Sequence, residues 1–143
     1  MNRYVVDTSV AIKWFIPEAH SESAVRLQTT RDGLHVPSFF MLELGNVLCK
    51  KIRRAELNLN EAETILEEVR QVPLQHHADA RLFGPAFALA LQTQRSLYDC
   101  LYLALAEVID GTLVTADRKF YVALGQGSYA RRVRWVGDLQ EQS

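Results

Sequence analysis

Apolar positions recur along this chain in two rhythms, and their succession outlines the architecture. Short apolar runs bounded by turn-forming residues read as buried strands. They are Tyr4-Val5-Val6, Leu34-His35-Val36, Thr112 to Thr115 and 133–136, with Pro73-Leu74-Gln75-His76 as a weaker one. The segments between them carry apolar residues at helical spacing. Helices are predicted over 8–16, ended near Pro17; over 19–31, stopped at Asp32-Gly33; and over 39–55. Further helices are predicted over 60–71, with Asn60 as its cap, over 79–93 and over 97–109, followed by a turn and short helix over 116–124. Gly84-Pro85 should kink the 79–93 helix or split it in two. The Gly125-Gln126-Gly127-Ser128 stretch reads as a loop. Strands alternating with helices point to a parallel sheet covered on both faces. No repeat or linker divides the chain, and its 143 residues suit a single domain spanning 1–143.

Composition narrows the class without naming an activity. Hydrophobic residues make up 48% and charged residues 23%, with a formal net charge of -1. Such a chain has no global field to attract nucleic acid or membrane, so an anionic substrate must be met by local charge or by metal. Cys49 and Cys100 both fall in apolar helical patterns, as two buried thiols of a cytoplasmic protein would, and they suggest no disulfide framework. An acid at position 7 is foreign to a signal peptide. No apolar run approaches the roughly 20 residues of a membrane helix.

Four acids stand at the edges of these elements. Asp7 ends the first strand just where Thr8-Ser9 open a helix, and the carboxyl edge of an open α/β sheet is where ligands bind. Taken singly, Asp7 is equally well read as a helix cap. Glu43 flanks the apolar stripe of Phe40, Leu44, Val47 and Leu48, in a polar column with Asn46 and Lys50. An ordinary surface Glu is its plainer reading. Asp99 completes a capping-box spacing with Ser96. It also shares a face with Tyr102, Leu103 and Ala106 on a helix that is apolar nearly all round, where a carboxylate loses hydration unless donors or a cation compensate. Asp117 lies two residues beyond the strand that ends at Thr115, and a turn or cap residue is again the plainer reading. A parallel sheet would gather Asp7, Asp99 and Asp117 on one side. Clustered carboxylates repel, and without counter-charge some would hold protons. An oxygen-only set of this kind suits Mg2+ or Mn2+ rather than zinc. Such an ion stabilises charge on a phosphodiester and activates water for in-line attack.

The segments that carry these acids resemble a known family. They are Val5-Val6-Asp7-Thr8-Ser9 with Trp14-Phe15-Ile16-Pro17-Glu18, Leu42-Glu43-Leu44-Gly45-Asn46, Tyr98-Asp99-Cys100-Leu101-Tyr102 and Val114-Thr115-Ala116-Asp117-Arg118. In this order and spacing they resemble PIN-domain proteins of the VapC toxin type over nearly the whole chain. The resemblance implies a three-layer α/β/α fold with a central parallel sheet of about five strands. It implies an Mg2+- or Mn2+-dependent endoribonuclease, the toxin of a toxin–antitoxin pair, with a small antitoxin as partner and a homodimeric state. The family's acids map onto Asp7, Glu43, Asp99 and Asp117, with Thr8, Thr115 and Asn46 as supporting polar groups. Asp7, Asp99 and Asp117 form the expected metal set, Asp7 and Asp99 as direct ligands and Asp117 either through water or by orienting the attacking water. Glu43 would bind through water or orient the attacking water. Some members carry a further acid after the fourth; Lys119 and Phe120 occupy that stretch here, so one metal or two stays open.

Substrate must also be held. Arg118, next to Asp117, and Lys50, at the end of the Glu43 helix, are the candidate RNA contacts, while Lys51 and Arg53 read equally well as a solvated helix end. His76-His77 read as surface histidines. The Glu43 helix carries a second apolar strip at Leu42, Cys49 and Ile52 that would suit a dimer interface. Two enzyme alternatives lack their residues: a haloacid-dehalogenase-type phosphatase wants an acid where Ser9 stands, and a receiver-like phosphoacceptor wants an acid beside Asp7. A catalytically silent module that binds RNA or protein through the same groove is the third alternative.

Overall fold

A computed structural model describes residues 3–28 and 33–139. Its strands are β1 (Arg3–Val6), β2 (Gly33–Pro37), β3 (Leu74–His77), β4 (Thr112–Thr115) and β5 (Val133–Trp135). Its α-helices are α1 (Thr8–Ala11), α2 (Ser21–Gln28), α3 (Phe39–Arg53), α4 (Leu59–Gln71), α5 (Asp79–Thr93), α6 (Leu97–Val108) and α7 (Arg118–Gly125). The strands form one sheet in the order β3-β2-β1-β4-β5, and every neighbouring pair is parallel. In β1, Tyr4, Val5 and Val6 are all buried, as are Leu113, Val114 and Thr115 in β4. Successive strand residues face opposite sides, so helices cover both faces and the layering is α/β/α. The chain leaves β1 toward β2 on one side and later returns to β4 on the other. The carboxyl ends of β1 and β4 therefore flank a topological switch point, where a crevice opens.

Helix α6 is the hub. Its residues from Cys100 to Ala106 are all buried, because it packs on β1, β2 and β4 and on its other side against α5. This is why its sequence is apolar nearly all round.

Several elements depart from the sequence expectation. Helix α5 runs unbroken through Gly84-Pro85. Proline's ring clashes with the preceding residue's N–H and Cβ as well as with the carbonyl one turn back; Gly84 has no Cβ, which removes one of these contacts, and both residues are exposed to solvent, where the unpaired carbonyl can be hydrated. The cap of α4 is Asn58, not Asn60. Its side chain accepts from Glu61 N at 2.8 Å while Glu61 reaches back to Asn58 N at 3.0 Å, a complete capping box. The first helix is shorter than expected: α1 tightens into a 3-10 turn over Ile12–Trp14 before Pro17. Strand β3 is shifted one residue toward His77. Of the predicted 19–31 helix, α2 covers Ser21–Gln28, and its stop at Asp32 lies outside the described residues. Cys49 is exposed, not buried. Of the other residues in its apolar strip, Leu42 is 71% exposed, whereas Ile52 is partly buried against the core.

Candidate active site

Strand β1 delivers Asp7 to the switch point with an extended backbone, and Asp7 then caps α1 by accepting from Val10 N at 3.3 Å. The same carboxylate that caps the helix also lines the cavity at the switch point. Ser9 Oγ also donates to Oδ1, and Thr115 Oγ1 donates to Oδ2 at 2.5 Å. Asp7 is only 7% exposed. Burial raises its pKa from 3.8 to about 7, overriding the stabilising bonds from Ser9 and Thr115, and the nearby Glu43 charge pushes it further. Thr115, fully buried at the end of β4, accepts in turn from Asp117 N at 3.0 Å. Asp117 caps α7 by accepting from Phe120 N at 3.2 Å. Ser9 Oγ accepts from Ala116 N at 2.9 Å. These bonds tie the ends of β1 and β4 across the switch point.

Glu43 comes from α3. Its Oε1 accepts from Thr8 Oγ1 at 2.5 Å and from Tyr102 OH at 2.6 Å, which leaves Oε2 free of both donors. Tyr102 is 1% exposed; burial first, and the Glu43 charge next, raise its pKa and keep the phenol a donor. Asp99 opens α6, and its backbone N–H donates to Ser96 Oγ at 3.0 Å. The reciprocal half of the expected capping box is replaced: the Asp99 carboxylate accepts from Arg95 Nη2 at 3.1 Å. Burial still raises the Asp99 pKa against that pairing, helped by the charges of Asp117 and Glu43. The acids feel one another, as a shared site requires.

All four acids line one open cavity of about 380 Å3, together with Thr8, Ser9, Lys13, Glu18, Lys51 and Tyr102. Thr115 lies behind Asp7. Asn46 and Lys50 are exposed and do not line it. At about 100° per residue, the lining runs from Glu43 through Val47 to Lys51, along the flank nearer the core, whereas Asn46 and Lys50 turn toward solvent. Lys51, which reads from sequence equally well as an RNA contact and as a solvated helix end, lines the cavity. Arg118 is exposed, and its guanidinium sits 5.2 Å from the ring centre of Trp135; it does not line the cavity. His76 is exposed, and His77 lies 2.9 Å from His35 Nδ1, away from the cavity. Sequence reasoning gave no site role to Ser9, Lys13, Glu18, Arg95 or Tyr102. For Tyr102 and Ser9 the signal was present, as the i+3 neighbour of Asp99 and the i+2 neighbour of Asp7.

The donors fit a hard cation. Asp7 is a buried carboxylate with no cationic partner among the described residues, and the cavity lining holds neither His nor Cys. Among the described residues, no three His, Cys, Asp or Glu side chains already stand at metal-ligating spacing. A cation here would take few carboxylates directly and fill its shell with water, as Mg2+ commonly does.

The PIN domain family model matches residues 4–123. Ribonuclease VapC3 of Pyrobaculum aerophilum is 39% identical over 119 residues, spanning 82% of this chain and 91% of that protein. A crystal structure of a protein from Pyrobaculum aerophilum aligns with a TM-score of 0.69 at 22% identity, covering 94% of this chain and 84% of that one. VapBC2 of Rickettsia felis, solved bound to a DNA fragment from its promoter, aligns with a TM-score of 0.63 at 14% identity, covering 93% and 98%. These two structures show the same fold. With the family model matched from residue 4 to 123 and a 39%-identical relative aligned over most of both chains, this chain belongs to the PIN-domain family.

Proposed function

We propose that this PIN-domain protein is a divalent-metal-dependent endoribonuclease, the toxin of a type II toxin–antitoxin pair, and that the whole chain works as one domain. The observation that carries this reading is the convergence of Asp7, Glu43, Asp99 and Asp117 on one cavity at the carboxyl edge of the sheet. Asp7, Asp99 and Asp117 would hold Mg2+ or Mn2+, which when bound supplies positive charge to the scissile phosphate and acidity to the attacking water. Ser9 and Thr115 fix the Asp7 carboxylate. Thr8 and Tyr102 fix Glu43 so that its free Oε2 faces the cavity, where it orients water and accepts a proton from it. Arg95 offsets part of the burial that raises the Asp99 pKa. Lys51 in the cavity lining, and Arg118 next to Asp117 in the chain, meet the RNA backbone. The ribonuclease name of the Pyrobaculum relative supports the substrate class, and the likeness to VapBC2 supports an antitoxin partner.

A homodimer is supported by the apolar residues left at the surface: Leu42 on α3, and Phe83, Phe87 and Leu91 on α5 at 52%, 52% and 70% exposure. No helix among the described residues is long and apolar enough to cross a membrane, and the two unpaired cysteines suit a reducing cytoplasm. The test is cleavage of structured RNA with Mg2+ or Mn2+, with EDTA, and by Asp7→Asn. Cleavage should need the metal and vanish in the variant; cleavage that survives either loss overturns the reading.

A further inference from the structure

Lys13 lies in the 3-10 turn after α1 and is only 9% exposed. A lysine so buried requires a partner, and its Nζ lies 3.0 Å from Glu18 Oε1. Both side chains line the same cavity as the four acids. The pair is asymmetric: the ammonium is the inner member at 9% exposure and the carboxylate the outer one at 35%. Glu18 sits in the loop after Pro17, anchored at its backbone, where Ser21 Oγ accepts from Glu18 N at 2.9 Å and Ser21 N donates to Glu18 O at 3.1 Å. Its side chain is therefore free to swing while the loop stays in place. A fifth carboxylate in an acidic cavity raises the repulsion there, so its placement calls for a compensating role. Neutralising Lys13 is that role, and it leaves the ammonium available whenever another anion displaces the carboxylate.

We propose that Lys13 is a phosphate subsite of the RNA groove, and that Glu18 is its resident occupant, displaced when a backbone phosphate beside the scissile bond takes the ammonium. This rests on the ribonuclease reading above. Glu18 and the phosphate compete for one cation, so removing either residue moves affinity in opposite directions. A merely structural ion pair would lower affinity, or leave it unchanged, whichever partner is removed.

The full chain is compared with Lys13→Met, Lys13→Arg, Glu18→Gln and the double variant Lys13→Met/Glu18→Gln, each checked for its melting temperature. Affinity is read by anisotropy of a labelled single-stranded RNA in EDTA, and KM and kcat are read in Mg2+. Lys13→Met should weaken binding and raise KM about tenfold, the worth of one charge-assisted bond, with kcat nearly unchanged. It should also flatten the slope of log affinity against log salt by about 0.7. Lys13→Arg should retain binding, and Glu18→Gln should tighten it several-fold. The double variant, which leaves no unpaired charge, should bind as weakly as Lys13→Met. Weaker binding in Glu18→Gln, or unchanged binding and salt slope in Lys13→Met or in the folded double variant, overturns the proposal. Lys13-dependent binding without metal-dependent cleavage by the unaltered chain would sink the nuclease reading and leave the subsite standing, whereas no RNA binding at all overturns the subsite.

Discussion

Replacing Asp7 by Asn should remove RNA cleavage and yet stabilise the metal-free protein at alkaline pH. The Asp7 carboxyl is raised from 3.8 to about 7 by burial. Between those values the unfolded chain releases its proton while the folded chain keeps it, so stability falls as pH rises from about 4 to about 7 and levels off above. At about 1.4 kcal/mol per tenfold, this displacement has a ceiling of about 4 kcal/mol. Asn is neutral at every pH and escapes that cost. It can still accept from Ser9 and Val10 at one atom. Its amide, however, must face a Thr115 hydroxyl whose oxygen already accepts from Asp117 N, at a loss of about 1 kcal/mol. The net gain at pH 8 is then about 2–3 kcal/mol, or about 3 °C of melting temperature for each kcal/mol in a chain of this size. Differential scanning calorimetry in EDTA at pH 8 and pH 5 reads it directly. The variant should melt several degrees higher at pH 8, with the difference shrinking at pH 5. Millimolar Mg2+ should raise the melting temperature of the unaltered protein and not of the variant. A variant that melts lower at pH 8, or a difference independent of pH, would refute the reasoning.

Three further outcomes are expected. Tyr102→Phe deletes one of the two hydroxyls on Glu43 Oε1; kcat for RNA should fall about tenfold, with about 1 kcal/mol of stability lost in chemical denaturation. Arg95→Gln removes the cation that pairs with Asp99; the cavity becomes more negative, and a Mg2+ titration of activity should show half-saturation at several-fold lower concentration. Pro85→Ala restores the helical N–H that α5 lacks; it should gain about 1–2 kcal/mol with cleavage unchanged, and a loss of stability would show that the ring itself is packed.

The strand pattern and the all-apolar α6 were legible because both report burial, and burial follows from residue type. The acids were legible as a set because Asp7, Asp99 and Asp117 stand at or near the ends of elements, where a parallel sheet brings distant ends together, while Glu43 borders the apolar stripe of α3. What could not be read was lateral position around a helix. Glu43 was placed on the flank of its stripe, but which flank faces the cavity depends on how α3 leans on its neighbours, and so Lys50 was favoured over Lys51. Lys13 was hidden for a related reason: a 3-10 turn has a different angular step, so helical spacing said nothing of where its side chain points. The Arg95 contact to Asp99 replaced half of a capping box whose spacing was right but whose third helical residue was Asp in place of the usual Glu. The uninterrupted α5 shows a local rule weakened by its neighbour, since a glycine before a proline relieves the Cβ part of the clash.

Asp7 and Asp117 each start a helix with the same carboxylate they present to the cavity. Asparagine and serine can perform the first task as well as aspartate, and neither can perform the second. Chemistry and architecture thus part company at these two positions on the exchange of a single atom or two. A lineage that no longer needed to cut RNA could fall silent there in one step while keeping its shape, and a surviving shape alone is poor testimony to a surviving activity.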